Sequence, residues 1–226
     1  MKKENNLEIN HSDSLIKKKN RDLKIIIVGD SGTGKTCFVN RYILRKFSST
    51  YQATIGSAFS YKILKKDNII YRLQFWDIAG QDSSPDVTKI FCKNAQGIVF
   101  CCEVNNQKSI DSLLKWKDSL NQHINLEKIP MIIIENKCDL LGKNEEDYNK
   151  DIEELKNFAE ENNIKKAFRT SAVTGYGIDE AMDYLIKEII EEFNLNNIIM
   201  NESIRETIAL TNKSNKAIRG RNDGCC

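Results

Sequence analysis

The apolar run Leu23-Lys-Ile-Ile-Ile-Val28 passes directly into Gly29-Asp-Ser-Gly-Thr-Gly-Lys-Thr36, and that junction constrains the chain more than any other segment. The pattern Gly-x-x-x-x-Gly-Lys-Ser/Thr, placed after a strand and before a helix, is that of a loop that cradles phosphate. Glycines let the backbone curl round an anion, so amide N–H groups and the N-terminus of the next helix point at one triphosphate. The candidate nucleotide-binding residues of this loop are therefore Gly29, Asp30, Ser31, Gly32, Thr33, Gly34, Lys35, Thr36 and Cys37. Lys35 would meet the β- and γ-phosphates, and Thr36 a Mg²⁺. A plain glycine turn with a solvated lysine is the competing reading, but such a turn does not need Lys-Thr after its last glycine. The loop alone does not separate ATP from GTP, or a kinase from a switch.

At 226 residues the chain can bury one good core, so one domain with tails is expected. Its 40% apolar and 29% charged residues are those of an ordinary soluble protein. A formal charge of +2 does not point to nucleic acid. No apolar stretch approaches the roughly 20 residues of a membrane-spanning helix, and Met1 to Asp22 lacks the apolar centre of a signal peptide. A cytosolic protein is expected. Seven cysteines without zinc spacing or a secreted framework agree, and read as reduced thiols.

Strand-like runs alternate with helical patterns, which predicts an α/β fold with a parallel sheet covered on both faces. Strands are expected at Leu23–Val28, Ala58–Leu64, Ile69–Phe75, Gly97–Cys102, Ile129–Ile134 and Lys166–Phe168. The second and third read as an antiparallel hairpin turning at Lys65–Asn68. Helices are expected over Cys37–Lys46, Ser109–His123 and Asp151–Asn162, with Leu141–Lys150 as a polar loop. Ile178, Ala181, Met182, Leu185, Ile186, Ile189, Ile190 and Phe193 form one helical stripe, which reads as core. Beyond it, the asparagine-rich segment to Cys226 reads as a flexible tail.

Asn136-Lys-Cys-Asp139 follows a predicted buried strand, where an open parallel sheet presents ligand contacts. A carboxylate such as Asp139 can accept from N1–H and the exocyclic amine of guanine, and adenine offers neither donor. Such pairing rejects the wrong ligand by about 10⁴-fold or more, equivalent to roughly 5.5 kcal/mol. GTP is favoured over ATP. Trp76-Asp-Ile-Ala-Gly-Gln81 supplies a third site: Asp77 can hold Mg²⁺ through water, and the Gly80 N–H can approach a γ-phosphate. Gln81 would orient the attacking water.

Gly29 to Thr36, Thr54-Ile-Gly56, Trp76 to Gln81, Asn136 to Asp139 and Thr170-Ser-Ala172 together resemble the Ras-like small GTPases, and among them the Rab family. The resemblance covers about Leu23 to Phe193. It implies a P-loop NTPase three-layer sandwich: a mostly parallel six-stranded sheet with one antiparallel edge strand. It also implies an N-terminal extension over 1–22, a GTPase domain over 23–193 and a tail over 194–226. Thr54 is implied as a second Mg²⁺ ligand whose backbone senses the γ-phosphate, and Phe47 as the aromatic against the guanine face. Lys137 would cover the base, while Ser171, Ala172 and Val173 form the loop that donates to its oxygen. Lys35 and Gln81 are the implied catalytic pair. Phe59, Trp76 and Phe91 match surface aromatics read by effectors, with core packing as the alternative. Ile78 and Asn136 to Asp139 look like the Rab subgroup that serves lysosome-related organelles.

The implied protein is a monomeric GTP-binding and GTP-hydrolysing switch in membrane trafficking, using Mg²⁺ with GTP or GDP and having no nucleic-acid partner. An exchange factor, a GTPase-activating protein, a GDP-dissociation inhibitor, prenylation machinery and effectors are its implied partners. The sequence ends Gly224-Cys-Cys226, where the family carries geranylgeranyl groups on Cys225 and Cys226. Two chains anchor a protein stably where one is marginal, which implies the cytoplasmic face of an intracellular membrane with a cytosolic pool. Asp82-Ser-Ser-Pro-Asp86 departs from the usual stretch after the glutamine, and Pro85 tolerates only a first helical turn. That departure leaves a second reading, a GTP-bound membrane scaffold with negligible hydrolysis.

Overall fold

The structure, a computed structural model, describes residues 19–50, 52–80, 85–149 and 151–195. Gln81, the segment 82–84, Cys225 and Cys226 lie outside the described residues. Among the described residues six strands form one sheet: β1 (Lys19–Val28), β2 (Ser57–Lys66), β3 (Ile69–Ile78), β4 (Gly97–Glu103), β5 (Met131–Asn136) and β6 (Lys166–Arg169). Their order is β2-β3-β1-β4-β5-β6. Only the β2–β3 pair is antiparallel, so the expected mostly parallel sheet with one antiparallel edge strand is what forms.

The hydrophobic pattern explains the order. Ile25 to Val28 and Ile98 to Cys102 have no exposed surface, and every residue of β5 is buried. Such continuous apolar runs can only sit at the centre of a sheet covered on both faces. β2, by contrast, alternates and takes the edge. The turn between β2 and β3 is tighter than expected, two residues instead of four. Asp67 and Asn68 adopt left-handed φ values of 50° and 59°, a geometry that matches strand twist and lets Lys66 pair with Ile69.

Helices α1 (Lys35–Leu44) and α6 (178–195) cover one face, while α2 (Pro85–Cys92), α3 (Gln107–Asn121) and α5 (Ile152–Glu161) cover the other. Pro85 occupies the first position of α2, where its missing N–H is not needed. On the first face Phe38, Val39 and Tyr42 meet the predicted α6 stripe, Ile178 through Ile190. Phe193 is half-buried, with the Arg21 guanidinium 4.2 Å above its ring. On the second face Leu113, Trp116 and Leu120 of α3 pack with Leu155 and Ala159 of α5.

Two boundaries correct the sequence reading. β1 starts at Lys19 and not at Leu23, because Lys19 to Asp22 pair with Ile69 to Arg72, and Arg72 and Asp22 form an ion pair. Within the expected loop Leu141–Lys150 there is a one-turn helix, α4 (Glu145–Tyr148). Asn144 caps it by accepting from the Asp147 N–H at 2.9 Å, and Tyr148 packs against Val104 and Cys138. Cys92, Cys101, Cys102 and Cys138 are buried and Cys37 half-buried, all as free thiols. Burial pushes Cys101 up to about 11 and Cys138 to about 12, which leaves both protonated and unreactive at neutral pH.

Phe100 lies at the centre of β4 with no exposed surface. Phe100→Ala should cost about 3–5 kcal/mol of unfolding free energy in a urea titration.

Candidate nucleotide-binding site

The parallel strands β1, β3, β4, β5 and β6 all point their carboxyl ends at one edge of the sheet, the usual place for ligand in this architecture. A cavity of about 660 Å³ opens there. Of the residues singled out by sequence, it is lined by Ser31, Gly32, Gly34, Lys35, Thr36, Cys37, Phe47, Thr54, Gly80, Asn136, Lys137, Asp139, Ala172 and Val173. Gly29, Asp30, Thr33, Asp77 and Ser171 stand behind that lining. The sequence reading missed the part of the wall supplied by Asn40, Ser48 and Gln52, whose polar side chains carry no motif.

The loop after β1 is held from beneath. Lys35 bends back, its Nζ donating to the carbonyls of Gly29 at 2.8 Å and Asp30 at 2.9 Å. Thr33 Oγ1 donates to the same Asp30 carbonyl at 2.9 Å. The Asp30 side chain accepts from Trp116 Nε1 of α3 at 3.1 Å, which ties the loop to that helix and leaves its backbone N–H as the group available to a phosphate. Gly29 has φ 142°, and a Cβ there would lie 2.0 Å from the Cys101 carbonyl oxygen. At Gly80 a Cβ would lie 2.1 Å from Ser31 N. Only glycine allows the segment after β3 to rest on the phosphate loop.

The three residues proposed for Mg²⁺ converge. Thr36 Oγ1 donates to Asp77 Oδ2, and lies 2.8 Å from Thr54 Oγ1. Asp77 is 2% exposed, and its Oδ1 has no hydrogen-bond partner. Burial raises the Asp77 pKa, opposed by the Thr36 hydrogen bond and by Lys35. An orphaned carboxylate oxygen beside two hydroxyls is a hard oxygen donor set that fits Mg²⁺.

The base-side loops are tied to this assembly. Asn136 is 1% exposed, and its Nδ2 donates to the Thr33 carbonyl at 3.0 Å and the Gly34 carbonyl at 3.5 Å. Its Oδ1 accepts from Thr170 Oγ1 at 3.3 Å. Ser171, expected to touch nucleotide, donates through Oγ to Asp139 Oδ1 and so aims the carboxylate. The Lys137 ammonium pairs with Glu103 Oε1 at 2.7 Å, which holds its stem along the cavity wall. Arg41 of α1 donates to the Val173 carbonyl at 3.0 Å and fixes the far loop. Phe47, 41% exposed, stands at the lip.

Beside the site runs a row of aromatic rings. Phe59 meets Trp76 edge-on at 5.1 Å between centroids, and Trp76 meets Phe91 at 5.8 Å. Trp76 and Phe91 pack against the core beneath α2 and α3, while Phe59 is 53% exposed. Core packing thus holds at one end of the row and a surface position at the other.

The raised Asp77 pKa has a sign that can be tested. The folded chain holds this proton more tightly than the unfolded one, so metal-free stability falls as pH rises from about 3.9 through the raised value. Asp77→Asn should remove that part of the fall. Added Mg²⁺ should raise the melting temperature of the GDP-loaded parent protein and leave that of Asp77→Asn nearly unmoved; equal shifts would exclude Asp77 from the cation site.

Comparison with known proteins agrees with this geometry. The sequence profile of the Ras family matches residues 24–191. Human Ras-related protein Rab-32 is 32% identical over 203 residues, covering 84% of this chain and 87% of that protein. Ras-related protein Rab-32C of Dictyostelium discoideum is 36% identical over 171 residues, covering 76% and 75%. Human Ras-related protein Rab-7L1 is 33% identical over 171 residues, covering 74% and 82%. The chain belongs to the Ras family: it is a Rab-type small GTPase, grouped by likeness with the Rab-32 and Rab-7L1 proteins.

Proposed function

We propose that this GTPase is a γ-phosphate-operated switch that recruits effectors to an intracellular membrane while GTP is bound. The observation that carries the reading is the contact of Thr54 with Thr36 and, through it, with Asp77. Thr54 belongs to the exposed segment between α1 and β2, whereas Thr36 and Asp77 belong to the phosphate loop and the sheet. The Ala79 N–H donates to the Gly56 carbonyl at 2.9 Å, which links this segment to the one carrying Gly80. Two segments that meet at the phosphate end of the cavity are placed to feel the loss of a γ-phosphate.

Thr36, Thr54 and, through water, Asp77 would hold a Mg²⁺ that neutralises charge on the transferring phosphoryl group. Lys35 leaves the carbonyls of Gly29 and Asp30 for the β- and γ-phosphates, and Gln81 positions the attacking water. Asp139, aimed by Ser171, accepts from the guanine edge. Residues 23–193 act as the GTPase domain. The segment 194–226 acts as a tether carrying geranylgeranyl groups on Cys225 and Cys226, giving a membrane pool beside a cytosolic one. Among the described residues no helix is long and apolar enough to cross a membrane. Exchange factor, activating protein and GDP-dissociation inhibitor act on the cavity and on the Phe59–Trp76–Phe91 row. The work of the switch is in trafficking at lysosome-related organelles.

GTP should displace labelled GDP from the purified protein at least about 10⁴-fold better than ATP does, and preferential ATP binding would defeat the base assignment. In single-turnover assays Gln81→Leu should hydrolyse GTP about tenfold or more slowly than the parent. Partners retained equally by GTP- and GDP-loaded protein in a pull-down would argue against a switch.

A further inference from the structure

Glu135 and Arg169 form a buried ion pair that neither phosphate nor base chemistry accounts for. They are register partners at the ends of β5 and β6, 5% and 8% exposed, with Arg169 Nε against Glu135 Oε2. Burial raises the Glu135 pKa, and the adjacent Arg169 opposes the rise. A buried pair of this kind is weak evidence for stability, since apolar replacements of both partners are often neutral or better. Its position is more informative than its energy. Glu135 immediately precedes Asn136, the start of one base-side loop, and Arg169 immediately precedes Thr170, the start of the other.

The surrounding bonds make the pair a joint between those loops. The Thr170 N–H donates to the Glu135 carbonyl at 3.0 Å, and the Cys138 N–H to the Thr170 carbonyl at 3.0 Å. Arg169 Nη1 also donates to the Tyr148 carbonyl of α4 at 3.0 Å, a buried bond. The Tyr148 ring meets Tyr176 edge-on at 5.0 Å, and the Tyr176 carbonyl accepts from the Ser171 N–H at 3.1 Å. Ser171 in turn holds Asp139. A Cβ at Gly177 would lie 2.1 Å from the Arg169 carbonyl oxygen, so the loop beyond β6 is pressed against the same residue. From Arg169 the ring of contacts runs through α4 and returns to the carboxylate that faces the base.

We propose that Glu135 and Arg169 are positioning residues for purine discrimination: by fixing loops 136–139 and 170–173 to each other they set where Asp139 and Ala172 meet the base, and with it the preference for guanine and the lifetime of bound nucleotide. The inference rests on Asp139 reading the guanine edge. A single hydrogen bond to a charged group is worth ~10- to 150-fold in affinity, and a joint that misplaces the carboxylate forfeits part of that.

The test compares GDP with IDP, which lacks the exocyclic amine that Asp139 would accept from. Release of each nucleotide and the GDP:IDP affinity ratio are measured on the full chain for the parent, Arg169→Lys, and the double variant Glu135→Gln with Arg169→Met. The double variant removes both buried charges and so avoids leaving one unpaired, while Arg169→Lys keeps the charge and loses the bond to Tyr148. The expected result is a parent preference of ~10- to 150-fold for GDP, reduced roughly tenfold in the double variant and by an intermediate factor in Arg169→Lys. Release of GDP and IDP accelerated by one common factor, or unchanged, overturns the inference and leaves a structural pair only. A parent that holds IDP as tightly as GDP refutes the base assignment itself, and this inference with it.

Discussion

The site depends on the buried amide of Asn136. It reaches from the base-side loop to the phosphate loop, donating to Thr33 and Gly34 while its oxygen accepts from Thr170. With almost no exposed surface at Asn136, these bonds have no ready water to replace them, so their loss would leave a buried amide unsatisfied. Three loops from three strands therefore move as one body. A Cβ at Gly34 would lie 2.3 Å from Asn136 Nδ2, which is why a glycine must stand where α1 begins. The same close approach that leaves room for phosphate leaves room for the amide that braces it.

Around this rigid body the structure places contacts of a different kind. Thr54 reaches Thr36 from a segment that is mostly exposed, with Ile55 at 94% exposure beside it. Few buried apolar groups hold such a segment, so a small number of polar contacts decides where it lies. The division between a braced cradle and a lightly held segment is the arrangement on which the proposed two-state behaviour rests. Asp77 bonds to Thr36, and Thr36 in turn meets Thr54, so one hydroxyl links the strand to the exposed segment.

Much of this was legible because function here is written in contiguous residues. The phosphate loop and Asn136 to Asp139 stand at the ends of strands whose apolar runs mark them as central, and Asp77 lies near the end of β3. The orienting partners were not legible. Trp116 meets Asp30 from 86 residues away, and Glu103 meets Lys137 from 34 away, so each pairing exists only once the topology is known. Asp30 and Ser171 carry side chains that hold Trp116 and Asp139, roles that no local motif announces. The short helix α4 escaped because one turn is too brief to show a period. β1 was read too short because its first residues are polar, and their place is set by pairing with β3.

β2 ends the sheet, and its outer backbone edge runs for ten residues beside Phe59, Tyr61 and Ile63, all more than 45% exposed. An extended edge bearing apolar side chains is a template for edge-to-edge association of like chains. Lys65 and Lys66 stand exposed where the strand enters its turn. Positive charges there repel a second copy approaching in register, and salt weakens that repulsion. The exposed edge strand is thus where colloidal stability is decided, and ionic strength is the variable that tips the balance.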